Sequence, residues 1–255
     1  MPTPDHTAAA AAILAQRRRS GEQGPRLPES CRPADLDSAL AIQTAVSALL
    51  GDRVAAWKCG LPAADSVVLA SIYANAVQIG SPCAVRARAG QARVEPELAF
   101  ILGRDLPARG SPYTPAEVDA AVVRTHLALE LIDSRFSESA NAGFAEHLAD
   151  GLFNQGLFIG PQVDSEQARA ASSMPIRIVR ANGETTELDG HHPSVDPRAP
   201  LYWLAEFLRG KGMGLQAGQA VITGSYAGCI DLPLGQDIAI RYGSLGALSV
   251  RFERK

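Results

Sequence analysis

The sequence predicts an α+β fold: a small helical N-terminal region, residues 1–53, followed by a β-rich domain, residues 54–255. Two observations predict it. Residues 7–19 and 35–50 read as helices separated by the Gly/Pro-rich stretch from Gly21 to Pro33. In the second of them Leu36, Leu40, Val46 and Leu50 lie near helical spacing, which suits packing onto a larger body. From residue 54 onward, short apolar runs alternate with Gly, Pro and Asp/Asn turns, the pattern of a β-rich domain. A chain of 255 residues can bury a sizeable core, as one large domain or as a large domain with a small appendage.

Within the β-rich part, Thr114, Pro115 and Glu117 form a capping box for one helix. Its apolar positions Val118, Val122 and Val123 lead into a strand that carries Glu130. A further helix over 199–209 stops at Gly210, and Val221 to Phe252 reads as strands turning at Gly224, Leu234-Gly235 and Tyr242-Gly243. No internal repeat is present. Hydrophobic content of 46% and charged content of 20% are ordinary for a globular protein. A net charge of −3 gives no electrostatic case for nucleic acid or an anionic membrane surface. Cys31, Cys59, Cys83 and Cys229 are scattered without a C-x-x-C pair, which argues against zinc and disulfide frameworks and for reduced thiols in a cytoplasm. The Ala-rich start, Met1 to Leu14, has no basic residue ahead of it and reads as a helix rather than a signal peptide, and no run is long enough to span a membrane. Arg17, Arg18 and Arg19 read as a solvated helix end.

The chemistry-bearing segment is Arg93-Val94-Glu95-Pro96-Glu97-Leu98-Ala99-Phe100-Ile101-Leu102. On a strand Glu95 and Glu97 project from one face. Adjacent carboxylates repel unless a cation lies between them, and oxygen ligands of that kind suit Mg2+, Mn2+ or Ca2+. A solvated face of an edge strand is the other reading, and Pro96, which removes a ladder donor, also fits it. In Leu127 to Asp133, Glu130 interrupts an apolar run; an unpaired ionised Glu there costs several kcal/mol, so it should be neutral, paired or metal-bound. Arg124 or Arg135 could supply a salt bridge. Together Glu95, Glu97 and Glu130 could give three oxygen ligands and leave positions open for water or substrate. Other motifs fail. Gly210 to Gly214 is neither a P-loop nor G-x-G-x-x-G, Gly224 to Gly228 lacks the G-x-S-x-G spacing, and the adjacent His191 and His192 read as turn and hydrogen-bond groups.

An ordered set of segments carries a resemblance: Trp57-Lys58-Cys59-Gly60-Leu61, Arg93 to Phe100, Ala128 to Arg135, Ala149-Asp150, His192-Pro193, Trp203-Leu204-Ala205, Gly218 to Ser225 and Tyr242 to Gly246. From about residue 35 onward the chain resembles the 2-keto-4-pentenoate hydratase (hydratase/decarboxylase) branch of the fumarylacetoacetate hydrolase family. The resemblance implies a mixed, barrel-like β-rich body with flanking helices. It implies that Glu95, Glu97 and Glu130 bind Mg2+ or Mn2+, that Lys58 is an active-site lysine, and that Asp150 is an acidic residue next to the site. It also implies that Thr223, Gly224 and Ser225 hold the substrate's carboxylate end. The plainer readings are a surface cation for Lys58 and a common Asp-Gly turn for Asp150.

The implied activity is hydration of a 2-hydroxy-2,4-dienoate (2-oxo-4-enoate) to a 4-hydroxy-2-oxo acid through a metal-stabilised enolate, with Lys58 or Asp150 as general acid/base. The same core suits a 4-oxalocrotonate-type decarboxylase or an acylpyruvate C–C hydrolase, the last with Glu146-His147 as a candidate water-activating dyad. A non-catalytic role as structural partner of a hydratase/decarboxylase complex is the remaining alternative. Homo-oligomers and association with a decarboxylase are the partners the resemblance implies. Departures lie near the presumed mouth: Gly151 where the family often has Asn, no Pro-Asp-x-Gly signature in Asp65 to Tyr73, and an insertion over Ser194 to Arg198.

Overall fold

The computed structural model describes residues 4–64 and 66–255. Met1 to Thr3 of the Ala-rich start, and Asp65 at the head of the segment lacking the signature, lie outside the described residues. Two helices, α1 (Pro4–Ser20) and α2 (Leu36–Leu50), precede strands β1 (Val54–Cys59), β2 (Leu69–Tyr73), β3 (Val77–Ile79), β4 (Cys83–Val85) and β5 (Gln91–Leu102). Helix α3 (Pro115–Asp119) leads into β6 (Val122–Ile132), and α4 (Phe144–Ala149) into β7 (Asn154–Val163). Then come α5 (Ser165–Arg169), β8 (Ser173–Arg180), β9 (Thr185–His191) and α6 (Ala199–Gly210). The chain ends in β10 (Ala220–Ile222), β11 (Ile230–Pro233), β12 (Asp237–Tyr242) and β13 (Gly246–Arg254). No helix among the described residues is long and apolar enough to cross a membrane.

The expected capping box forms at α3, and α2 carries a second one that the sequence reading did not name. The Asp35 side chain accepts from Ser38 N at 2.8 Å, and Gly51 ends α2 at φ 65°, a left-handed conformation that glycine adopts without steric cost. Thr114 and Glu117 close the predicted box at the head of α3. The inward face of α2 differs from the apolar spacing read from sequence. Ala39, Ile42, Gln43 and Val46 are buried, whereas Leu36 is 40% exposed. Gln43 masks that face in the sequence because it is polar, yet its amide donates to the carbonyls of Leu69 and Leu148. Small side chains on α1 (Ala10, Ala11, Ala15) let it sit close to this body, and both helices share one apolar core with Trp57, Leu69 and Leu148.

The basic end of α1 is solvated only at Arg19, which is exposed, whereas Arg17 and Arg18 are half-buried. Arg17 donates to the carbonyls of Pro25 and Arg135, Arg18 reaches Asp150 and the carbonyl of Asn154, and Arg19 reaches the carbonyl of Leu49. Three cations at a helix C-terminus are favourable for the helix dipole, and here they also tie the N-terminal region to the body.

Among the described residues the strands form two sheets. The larger is mixed, curls as a half-barrel, and runs β2-β1-β10-β5-β6-β7-β3, with β11 also paired to β5; the smaller runs β4-β13-β12-β8-β9. Register places the future site. Lys58 pairs with Ile222, Ile222 with Ala99, Glu97 with Ala128, and Glu95 with Glu130. Paired residues share a face and residues two apart share a face, so Lys58, Glu95, Glu97 and Glu130 all project from one side of the half-barrel. The same side carries Ala56, Ala99, Ala128, Ala220 and Ile222, a small buried apolar floor beneath the charged end.

The edge-strand reading of Glu95 to Glu97 does not hold. Strand β5 is central, and Pro96 is buried. The proline is tolerated because β5 is unpaired at its position on one side: β11 covers Gln91 to Val94 and β10 covers Ala99 to Ile101. The Pro96 carbonyl accepts from Tyr226 N at 2.9 Å on that side, so its nitrogen also faces the break, where no ladder donor is needed.

Candidate metal centre and its cavity

Oxygens of Glu95, Glu97 and Glu130 lie within 4.8 Å of one another. Each carboxylate is oriented separately. Glu97 Oε2 accepts from Gly224 N at 2.7 Å, and Cys229 Sγ donates to Glu95 Oε1 at 2.9 Å. Glu130 Oε1 receives Lys58 Nζ at 2.7 Å and Asn154 Nδ2 at 2.8 Å. The second oxygen, Glu130 Oε2, is buried without a hydrogen-bond partner among the described residues. The salt bridge expected from Arg124 or Arg135 is therefore made by Lys58, from three strands away across the sheet.

The electrostatics of this group call for a cation. Burial pushes the Glu97 carboxyl well above its usual range, and Glu130 and Glu95 push it further. Burial also raises Glu130, against the pull of Lys58. For Lys58, burial works to lower the pKa, but Glu130, Glu95 and Glu97 together hold it above its ordinary value, so it is an ammonium at neutral pH. With all three carboxylates ionised and Lys58 an ammonium, the group would carry two uncompensated negative charges, which one divalent cation would balance. An all-oxygen donor set with an orphaned carboxylate oxygen fits a hard ion such as Mg2+.

The group opens onto a cavity of about 460 Å³. Lys58, the three carboxylates, Thr223, Gly224 and Ser225 all line it, so the structure brings these sequence candidates together. The 223–225 turn is held from behind. Thr223 Oγ1 donates to the Pro197 carbonyl at 2.8 Å and lies 3.3 Å from His192 Nε2. A Cβ on Gly224 would meet Pro193 Cγ at 2.5 Å, and its φ is 137°, so this close approach requires glycine. The insertion thus packs against the turn, with Ser194 on the cavity wall, and His192 keeps the hydrogen-bonding role expected of it.

Asp150 is placed elsewhere. It caps α4 and does not line the cavity. Arg135 Nε donates to its Oδ2 at 2.7 Å, and Arg18 Nε lies 3.6 Å from Oδ1. Burial pulls the Arg135 guanidinium down to about 10, which still leaves it charged at neutral pH. Directly after this ion cluster, Gly151, Leu152 and Phe153 all adopt positive φ (80°, 50° and 66°). Two of these are non-glycine residues in a sparsely populated region, and the surrounding ion pairs hold them there. The result is that the Leu152 carbonyl accepts from Lys58 Nζ at 3.1 Å and Asn154 reaches Glu130. Asp150 therefore touches the site through the backbone it anchors.

The hydrolytic dyad does not assemble. Glu146 is taken by Arg26 and by the N–H groups of Leu27 and Gly143, while the His147 ring lies between Phe136 and Phe153 at 5.5 and 4.4 Å. Asn154, Cys229 and the Leu152 carbonyl escaped the sequence reading. Asn154 carried a weak signal, a polar residue opening an apolar run just after Asp150-Gly151. Cys229 carried none. Burial, with Glu95 beside it, pushes the Cys229 thiol up to about 12, and burial pushes Cys59 well up, so neither is a thiolate nucleophile at neutral pH.

Known proteins give the same picture. The chain is 28% identical over 260 residues to 2-keto-4-pentenoate hydratase 1 of Dechloromonas aromatica, covering 96% of this chain and 97% of that one. It is 29% identical over 171 residues to 2-oxo-hept-4-ene-1,7-dioate hydratase of Escherichia coli, covering 63% of this chain and 61% of that one. In fold it is similar to 4-oxalocrotonate decarboxylase from Pseudomonas putida G7, complexed with magnesium and adipate, with a TM-score of 0.81 at 18% identity and 99% of both chains covered. Residues 54–252 match the fumarylacetoacetate (FAA) hydrolase C-terminal family model, and the chain belongs to that family.

Proposed function

We propose that this chain is a divalent-metal-dependent hydratase that adds water to a 2-hydroxy-2,4-dienoate (2-oxo-4-enoate) to give a 4-hydroxy-2-oxo acid. The observation that carries this reading is the convergence of Glu95, Glu97 and Glu130 with Lys58 at the charged end of one cavity. Glu95, Glu97 and Glu130 would hold the ion, Mg2+ first and Mn2+ second. When bound, it supplies a Lewis acid for the carboxylate and C2 oxygen of the substrate. The 223–225 turn, which lines the cavity, orients the substrate's carboxylate end. Lys58 Nζ is the proton carrier beside the substrate carbon, since the two cavity thiols stay protonated and His192 is turned away onto Ser194 and Thr223. Asp150 acts as a positioning residue through Leu152 and Asn154. Both parts of the added water stay in the product, the proton on carbon and the hydroxyl on C4.

We place this chemistry in residues 54–255, with residues 1–53 as a helical buttress, in a cytoplasmic homo-oligomer. A decarboxylase of the 4-oxalocrotonate type is the second reading, favoured by the fold likeness. The test is to incubate metal-stripped protein with freshly generated 2-hydroxypenta-2,4-dienoate, with and without Mg2+ or Mn2+, and to follow dienol absorbance and product mass. Metal-dependent gain of one water supports the hydratase. Release of carbon dioxide from 4-oxalocrotonate without such gain replaces it with the decarboxylase, and turnover only with a second protein supports the partner-subunit reading.

A further inference from the structure

The cavity is charged at one end only. Among the described residues that line it, Lys58, Glu95, Glu97 and Glu130 are the charged ones. The large uncharged side chains of the wall are apolar, Leu61, Val68, Ile132, Phe153 and Pro193, with the small Ser194 and Cys229 beside them. Three of these large apolar side chains are open to solvent at the mouth: Leu61 is 48% exposed, and Val68 and Phe153 are 38% exposed. Covering them with an apolar group removes that surface from water, which is favourable. Covering them with a carboxylate strips the carboxylate of water and gives it no partner, which is costly.

A longer diacid would need a cation farther out. Ile132 and Phe153 are shared with an adjoining cavity that contains Arg86, Arg88 and Arg93. Each of these guanidiniums already has protein acceptors. Arg88 is held by both oxygens of Asp133 at 2.7 and 3.0 Å, and Arg93 by both oxygens of Asp231 at 2.8 and 3.0 Å. Arg86 is turned onto the carbonyls of Arg18 and Arg19, each at 3.0 Å.

Resting on the hydratase reading for the head of the substrate, we propose that this site selects 2-oxo and 2-hydroxydienoic monoacids with an uncharged apolar tail over dicarboxylates, and that Leu61, Val68 and Phe153 set that choice. The two similar hydratases, one named for a pentenoate and one for a heptenedioate, span this distinction, and the wall places this chain on the monoacid side.

The experiment is titration calorimetry of Mg2+-loaded protein with 2-oxohexanoate and 2-oxoadipate, which share a head and a chain and differ at the far end by methyl against carboxylate. The expected result is at least about tenfold tighter binding of 2-oxohexanoate, the scale on which apolar pockets discriminate. A Val68→Arg variant, checked for fold by circular dichroism, should shift the ratio toward 2-oxoadipate by about tenfold or more. Equal or tighter binding of 2-oxoadipate by the wild-type protein overturns the inference and leaves the hydratase reading standing. Binding of neither acid in Mg2+ overturns both. A monoacid preference without water gain in the dienoate assay removes the hydratase reading and keeps the tail preference. An unchanged ratio in Val68→Arg overturns the role given to Val68.

Discussion

Replacing Lys58 by Met tests whether the ammonium is a structural counter-ion of the carboxylate cluster. Lys58 is 8% exposed and Glu130 fully buried, and the two are 2.7 Å apart. Removing one partner of such a pair leaves a buried charge uncompensated, at a cost of about 3–5 kcal/mol. The Leu152 carbonyl also loses its donor, worth about 1 kcal/mol. In a chain of this size each kcal/mol moves the melting midpoint by about 2–4 °C, so Lys58→Met should melt roughly 8–24 °C lower in EDTA. Glu130→Gln in the same background removes the orphaned charge and keeps the Asn154 contact partner nearby, so the double variant should recover much of the loss. Urea unfolding followed by tryptophan fluorescence, with Trp57 next in sequence to the altered site, gives all four corners of the cycle. The expected coupling is about 2 kcal/mol or more. Additive single effects, within about 0.5 kcal/mol, would show that the two groups do not stabilise each other, and the assignment of the cluster's charge balance would fail.

Other consequences follow from the same geometry. Mg2+ at one hundred times its dissociation constant should stabilise the wild-type protein by about 2.7 kcal/mol, and Glu97→Gln should lose most of that gain in a thermal-shift titration. Arg135→Met leaves Asp150 with Arg18 alone and should destabilise by about 3–5 kcal/mol; in the folded fraction kcat should fall, because Leu152 and Asn154 no longer hold Lys58 and Glu130. For Glu146, burial alone would raise the pKa, but Arg26 and the N–H groups of Gly143 and Leu27 outweigh it and hold the folded value below the ordinary one. The stabilisation is therefore present above the unfolded value of about 4.3 and is lost as pH falls through the lower folded value. Melting curves of wild type and Glu146→Gln should differ at pH 7 and converge as pH drops below about 4.

The carboxylate cluster was legible because strand parity is a local rule: two residues apart means one face, whatever the strand pairs with. That rule placed Glu95 with Glu97 from sequence alone. Glu130 was legible for a different reason, the cost of an isolated carboxylate in an apolar run. Its partner was not, because Lys58 arrives through the register of β1, β10, β5 and β6, and register across a sheet leaves no trace in local spacing. Arg124 and Arg135 were near in sequence and so looked plausible; Arg135 instead meets Asp150, fifteen residues away on the far side of a turn. The three arginines of α1 read as solvated for the same reason. The acceptors of Arg17 and Arg19 are carbonyls of Pro25, Arg135 and Leu49, which have no sequence signature, and Arg18 reaches Asp150 and the Asn154 carbonyl, both far along the chain.

Pro96 shows how one residue was read correctly in chemistry and wrongly in place. It does remove a ladder donor, but the consequence is a break within a central strand rather than an edge. On the side where β5 runs unpaired between Val94 and Ala99, the turn following β10 enters the sheet. Its backbone then meets the strand directly: Gly224 N caps Glu97, Tyr226 N caps the Pro96 carbonyl, and Cys229 reaches Glu95. A donor at position 96 would point into that break and would need an acceptor there. With proline, the demand disappears, and β10 and β11 need not merge into one continuous partner strand. The carboxylate pair is thus presented at the one stretch of β5 where a loop, rather than another strand, can contact it. A turn whose Gly224 N–H meets Glu97 and whose Ser225 hydroxyl meets the Pro96 carbonyl is the physical outcome of placing proline between the two glutamates.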